Sequence, residues 1–328
     1  MNGIESKVIA TGFGAMPEVR ELLDRHLDSA VDSSVAVRSV YGQLLPTLAE
    51  LDRDWVIGNL PNLFPTDEER RPLRDAVWNT YVVYWRPGAD TFALLRGEYE
   101  RAIASVGSPA AEPAAGYSPD ASLGEHLTGL CAIGVIDPAN AAGLLGSFFS
   151  AADDQLRWHV LDEVGRWLAS VKGPVAPKVL DRLRRFWEWY FQEHLTTIAS
   201  SAGNGGIAAF GQWFGSGKFD PSWSLAQLHS VLRQVGRVTP GFLVVEELVK
   251  VASKPALLAV QCLQLMVEGV ADRWEILGWQ DEARSVLAEA LGSDDAVAGD
   301  LARDLINRLS ARGYPGFDTL LHSAERDE

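Results

Sequence analysis

Several short stretches of this chain carry residue types that could do chemistry. The first is GQWFGSGKFD, Gly211 to Asp220, whose glycines and lysine look like a phosphate-binding loop. Such a loop needs G-x-x-x-x-G-K-[ST], because backbone N–H groups cradle the phosphates, the lysine meets their charge and a hydroxyl holds the metal. Counting back from Gly217-Lys218 puts Gln212 where the first glycine belongs, and Phe219 stands where the hydroxyl belongs. No strand signal precedes the stretch, so nucleotide binding is not expected. The residues predict instead a helix end at Gly215 to Gly217, then a helix begun by Asp220-Pro221, an N-cap followed by a first-turn proline. The six histidines, His26, His126, His159, His194, His229 and His322, form neither H-E-x-x-H nor a cysteine–histidine cluster at metal spacing. His26, His159 and His194 fall within helical periods and read as partly buried side chains with a hydrogen-bond partner. A G-x-S-x-G elbow is missing. Glu246, Glu247 and Lys250 have a faintly nuclease-like spacing, yet on a helix that spacing is a common solvent-exposed pattern. The sequence thus predicts no catalytic residue, no cofactor and no metal.

The aromatic residues are the second kind of candidate. The chain has 11 Trp but only 3 Met. Trp55, Trp78, Trp158, Trp167, Trp187, Trp213, Trp223, Trp274 and Trp279 sit in or beside helical apolar runs, which predicts core packing. Trp189 differs. It lies about 130° from the centre of its helix's apolar stripe, at about 100° per residue. Arg185 and Arg182 stand one and two turns earlier on the same side. Either an arginine shields the indole face, or a second face is buried on a neighbouring helix or a partner protein. Trp85, with Tyr84 and Tyr81 in NTYVVYWRP, forms the other candidate interface.

The elements that would position these residues are helical almost throughout. Between Ala176 and Leu195, the residues Val179, Leu180, Leu183, Phe186, Trp187, Tyr190 and Phe191 make one broad stripe, with Asp181, Arg182, Arg185, Glu188 and Gln192 opposite. Val297, Leu301, Leu305 and Leu309 recur every four residues, with Asp294 and Asp295 suited to the helix start, Gly313 to its left-handed stop, and Pro315 following. The β-branched run in VGRVTPGFLVVEELV reads better as a helix with Pro240 at its first turn. Prolines and glycines cut the chain into short helices whose pairs are predicted to start near 17, 53, 89, 138, 176, 220, 255 and 295. That step of about 40 residues matches two-helix HEAT-type repeats. The expected fold is therefore all-α, an α-solenoid of about eight degenerate HEAT-like pairs with essentially no sheet. Residues 1–106 and 121–328 would form continuous repeats around a Pro/Ala/Gly-rich loop at 107–120, with a weaker break at SSAGNGG, 200–206.

Composition narrows the partners. The net charge is −15, with 47% hydrophobic and 22% charged residues, an ordinary globular balance. An acidic chain is a poor scaffold for phosphate backbones, so direct nucleic-acid binding is not expected. Cys131 and Cys262 stand in apolar runs and read as buried small hydrophobes, which excludes a disulfide scaffold. The N-terminal residues lack the basic region and long apolar run of a signal peptide. No run approaches about 18 uncharged apolar residues. A cytoplasmic, membrane-free protein is expected.

A set of packing and turn motifs carries a resemblance. These are VRELLDRHLD (19–28), VRSVYGQLLPTLAELDRDWV (37–56), AVWNTYVVYWRP (76–87), LRGEYERAI (95–103), RWHVLDEVGRWL (157–168), LRRFWEWYF (183–191), FGQWFGSGKFDPSW (210–223), WEILGWQDEARSVL (274–287) and INRLSARGYPGFDTLL (306–321). Together they resemble the C-terminal HEAT-like helical-repeat region of large bacterial anti-phage defence proteins, whose sirtuin-type or signal-transducing NTPase domains lie further N-terminal. The resemblance implies a sensor or scaffold arm that binds a phage protein or a defence-system subunit. It implies no enzymatic activity, because the residues of those catalytic domains are absent from this sequence. It also implies a fragment or a split-gene subunit. Net charge −15 would favour a basic partner. The alternative function is an α-helical enzyme or small-molecule-binding protein with an aromatic-lined pocket.

Overall fold

The computed structural model describes residues 12–107, 118–140, 142–198, 206–253, 255–270 and 273–324. Every regular element among them is helical, with no strand, so the chain is all-α. It divides into two compact units, Met1–Ala151 and Ala152–Glu328. The division therefore falls after the expected 107–120 loop. Residues 108–117 of that loop, and 200–205 of the SSAGNGG break, lie outside the described residues.

The first unit holds α1 (Pro17–Leu27), α2 (Val35–Leu51), α3 (Arg53–Leu63), α4 (Arg71–Tyr84), α5 (Ala89–Ser105), α6 (Pro119–Ile133) and α7 (Leu144–Ala151). Local chemistry starts these helices. The side chains of Ser34, Asp52 and Ser118 accept N–H bonds from Val37, Trp55 and Ala121, as N-caps do. Prolines occupy the first turns of α1, α4 and α6. In the packing, α2 lies along α4 and α4 on α6, while α5 packs on α6 and α7. Arg38, 1% exposed on α2, donates to Leu27 O at the end of α1 (2.6 Å) and to Asn62 O near the end of α3 (3.3 Å). Tyr41 adds a bond to Leu23 O at 2.7 Å.

The second unit holds α8 (Asp154–Ser170), α9 (Pro177–Ile198), α10 (Phe210–Gly215), α11 (Pro221–Val235), α12 (Gly241–Val251), α13 (Ala256–Gly269), α14 (Arg273–Leu277), α15 (Gln280–Leu291), α16 (Ala296–Ala311) and α17 (Asp318–Ala324). One row of contacts runs α8 to α10 to α12 to α15, and another runs α11 to α13 to α16. Trp187 Nε1 donates to Gln227 Oε1 and Trp223 Nε1 to Glu188 Oε1, which brings α9 beside α11. Between the rows lies an aromatic core in which Trp187 meets Phe210 at 4.5 Å and Trp213 stacks on Phe219 at 5.8 Å. Large rings fill such inter-helix gaps with more buried area than an aliphatic side chain could.

Seven of the eight predicted starts fall within one residue of a helix start, α1, α3, α5, α9, α11, α13 and α16; α7 begins later, at Leu144. In the second unit α10 also touches α11, α12 touches α13 and α15 touches α16, while Trp187 of α9 packs on Phe210 and Trp213 of α10. Core packing holds for Trp55, Trp78, Trp187, Trp213 and Trp279, while Trp158 and Trp223 are half-buried. Trp167 and Trp274 correct the expectation, at 39% and 75% exposed.

Gly42 shows how closely α2 and α4 approach. A Cβ there would press onto the backbone carbonyl of Val77, whereas one at Gly58 on α3 would meet nothing. Gly42→Ala should therefore lower stability by about 1–3 kcal/mol through overpacking. Gly58→Ala should raise it by roughly 0.5–1 kcal/mol through helix propensity. Urea unfolding midpoints check both; equal effects would show that α2 and α4 can separate at no cost.

Candidate functional site

Three successive helices of one row in the second unit, α8, α10 and α12, border an open groove of about 490 Å³. Its floor depends on small residues. A Cβ at Gly211 would meet Thr239 O at 2.6 Å, and one at Gly165 would meet Gln212 at 2.7 Å. These approaches draw the helices together, and Thr239 N donates to Ala208 O at 2.9 Å. The rim carries aromatic area from Trp158 and from Phe242, which is 51% exposed. Trp158 is oriented by its Nε1–H, which donates to Thr239 Oγ1 at 3.2 Å. Pro240 adds a rigid apolar edge. The charged group is Asp162, 3% exposed, which accepts from Arg166 Nε at 2.6 Å. Glu163 also approaches Arg166, at 3.5 Å. Asp162 and Arg166 both line the groove, so its charged groups balance beside the apolar edge. That arrangement suits an extended ligand offering an apolar side chain.

The first unit holds the predicted Tyr81–Tyr84–Trp85 group, and the structure splits it. Tyr84 is 68% exposed and Trp85 half-buried, but Tyr81 is fully buried. Tyr81 therefore leaves the surface set. Its place in the helical period put it on the inner side of α4, three residues from Tyr84. Its hydroxyl begins a directed chain. His126 Nε2–H donates to Trp85 O at 2.6 Å, so Nδ1 accepts, from Tyr99 OH at 2.8 Å. Tyr81 OH then donates to the Tyr99 oxygen at 3.1 Å. Burial pulls the His126 imidazole down to about 4 and pushes the Tyr81 phenol up to about 12. Trp85 is held at both ends, because its Nε1–H donates to Gln43 O at 2.5 Å. The exposed Tyr84 ring thus projects beside a fixed neighbour.

Trp189 is half-buried on α9, its ring 6.2 Å from Phe186. Its Nε1 is covered and has no hydrogen-bond partner among the described residues. Arg185 is exposed and Arg182 half-buried.

The motif-like residues have other uses. Lys218, the lysine of GSGK, donates to Val171 O at 2.8 Å and Gly173 O at 2.9 Å, beyond the end of α8. Asp220 caps α11 through Trp223 N, as the sequence predicts. Lys250 pairs with Glu247 at 2.7 Å on α12. His26 bonds Asp32 at 2.7 Å. Cys131 and Cys262 are buried and not joined in a disulfide. No group of three potential ligands for a metal occurs among the described residues, and no described helix is long and apolar enough to cross a membrane.

Sequence reasoning missed the groove. Trp158 was placed in the core, and Asp162, Arg166 and Phe242 look like ordinary helical residues. The available signal was glycine inside apolar helical runs, at Gly165 and Gly211, which marks close backbone approach. Comparison with protein-family models, curated proteins and solved structures finds no match to this chain.

The His126 chain has a pH consequence. Its folded value, about 4, lies below the ordinary 6.5, so between these values the unfolded chain binds a proton that the folded chain does not. The stabilisation is complete above pH 6.5 and is lost as pH falls toward 4, at up to about 1.4 kcal/mol per pH unit. His126→Gln should be less stable at pH 7 but should lose this slope. Denaturant midpoints at pH 7 and pH 5 check it; equal slopes in the two proteins would show that His126 charges within the fold.

Proposed function

We propose that this chain is a non-enzymatic helical-repeat module that binds a protein partner along a row of its helices. The groove across α8, α10 and α12 carries this reading: it is open, it crosses successive helices, and it combines oriented aromatic edges with a charged group. The row contacts support an α-solenoid arrangement of HEAT-like pairs, since stacking each helix on the next but one is how such arrays build an extended binding face. A small-molecule pocket would enclose most of its ligand, whereas this groove lies open. Lys218 and Lys250, the residues closest to catalytic patterns, are bound to helix-end carbonyls and to Glu247.

The net charge of −15 favours a basic segment. Tyr84 and Trp85 provide a second aromatic surface for the same partner class, in the first unit. A cytoplasmic role as the sensor or scaffold arm of a bacterial anti-phage defence system rests on the sequence resemblance. The partner would then be a phage protein or a defence-system subunit.

A pull-down from phage-infected and uninfected cells tests this. The wild-type chain should enrich a protein that Phe242→Asp loses by about thirtyfold, the effect of about 2 kcal/mol at an aromatic hot spot. Trp274→Ala, which removes an exposed aromatic outside the groove, should retain it. Enrichment of nothing under either condition, or full retention by Phe242→Asp, would overturn the proposal.

A further inference from the structure

The first unit contains a second concave site of different chemistry. Arg71 and Arg74 near the start of α4 and Arg101 on α5 line one cleft of about 570 Å³, together with Thr66, Glu68 and Ser105. Three guanidiniums converging in a chain of net charge −15 run against its overall electrostatics. Their ion pairs are unequal. Arg71 lies 3.3 Å from Asp75 and 3.6 Å from Glu68, and Arg101 pairs with Glu98. Arg74 is the best covered, with its side chain 13% exposed, and only its Nε is held, by Asp75 Oδ1 at 3.2 Å. The one printed bond of Arg74 uses its Nε, which leaves the two terminal nitrogens without a hydrogen bond among the described residues, although their charge also acts on the Glu98 carboxylate. A guanidinium that is largely covered, yet opens its two terminal nitrogens to a cleft, is a fork awaiting an oxyanion.

We infer that this cleft binds a phosphate dianion, held by the Arg74 fork and flanked by Arg71 and Arg101. A tetrahedral dianion offers enough acceptor sites for several guanidiniums at once, which the three separate carboxylates do not. The Arg71–Glu68 pair is exposed at both ends and holds weakly, so Arg71 can turn toward the ligand, whereas Arg101 keeps its covered partner Glu98 and offers the ligand its remaining N–H groups. The hydroxyls of Thr66 and Ser105 lie in the same cleft, although Ser105 Oγ otherwise donates to Arg101 O at 3.1 Å. The cleft is larger than a bare phosphate needs, which leaves room for an organic group esterified to it.

Calorimetric titration of the full chain with inorganic phosphate and with phenyl phosphate, at constant ionic strength, tests the inference. Saturable binding of one dianion per chain is expected for at least one probe. Tighter binding of phenyl phosphate would identify a monoester site, and equal binding a site for phosphate alone. Arg74→Ala and Arg101→Ala should each weaken binding by about tenfold or more, the usual cost of a charge-assisted hydrogen bond. Arg74→Lys should recover only part of the loss, because it keeps the charge without the fork. Arg96→Ala, which breaks an exposed pair with Glu100 on α5, should bind as wild type. No saturation by either probe up to 10 mM (about the weakest affinity worth the name, since 1 mM is already only about −4 kcal/mol), or wild-type binding by Arg101→Ala, would overturn it. Arg101→Ala serves this purpose even if Arg74→Ala fails to fold.

Discussion

The C-terminal carbonyls of short helices are polar groups this fold has to satisfy, and several of them are met by side-chain donors from distant parts of the chain. An α-helix leaves its last four C=O groups without partners inside the helix. Here Arg38 reaches the ends of α1 and α3, Lys218 reaches the carbonyls beyond α8, and His126 reaches Trp85 O at the end of α4. Two of these donors are cations, the sign that the negative end of a helix dipole favours. Each bond satisfies a carbonyl and also decides which helix lies at that end and how close it comes. Arg38 does this while 1% exposed, at the cost of desolvating its charge, and burial lowers its proton affinity accordingly. The row packing is thus fixed at helix ends as well as by the apolar faces between them.

The same feature explains which parts of the fold were legible in the sequence. Helix starts are local. The side chains of Asp52, Asp153, Asp220 and Asp295 accept N–H bonds from residues two or three positions on, so the start is written in one short stretch. Some helix ends, unlike the local glycine stops at Gly134 and Gly236, are closed from far away: His126 and Trp85 are 41 residues apart, Lys218 and Val171 are 47 apart. Periodicity and capping therefore place most helix starts and the all-α class, but not the way the helices pair. Deciding whether α10 pairs with α9 or α11 requires knowing what each ring and each donor meets across the gap.

The candidate surfaces show a similar limit. Tyr81 and Tyr84 are three residues apart in one aromatic run, yet one is fully buried and the other 68% exposed. The pattern around them cannot separate the two, because Tyr81 is buried by Tyr99 and His126, which come from α5 and α6. Trp274 errs in the other direction. Its stretch looks like a core helix, but α14 is only five residues long, too short to bury a whole face. The groove escaped notice because its shape comes from missing side chains, at Gly165 and Gly211, more than from the residues that line it.

The acidity of the chain acts at two ranges. At long range, −15 attracts cations and repels anions, an effect that salt screens over about 10 Å at 0.1 M. At contact range, individual geometry overrides that average. The cleft of Arg71, Arg74 and Arg101 offers donors to an anion within an acidic protein, and in the groove Asp162 is matched by Arg166. A basic partner at the groove would be steered by the whole protein's field, so salt would slow its arrival more than it would loosen apolar contacts with Trp158 and Phe242. An anion at the arginine cleft gains nothing from steering and must rely on the precise fit of Arg74. Specificity there has to come from the fork, since the field of the protein opposes the ligand until it is within hydrogen-bonding distance.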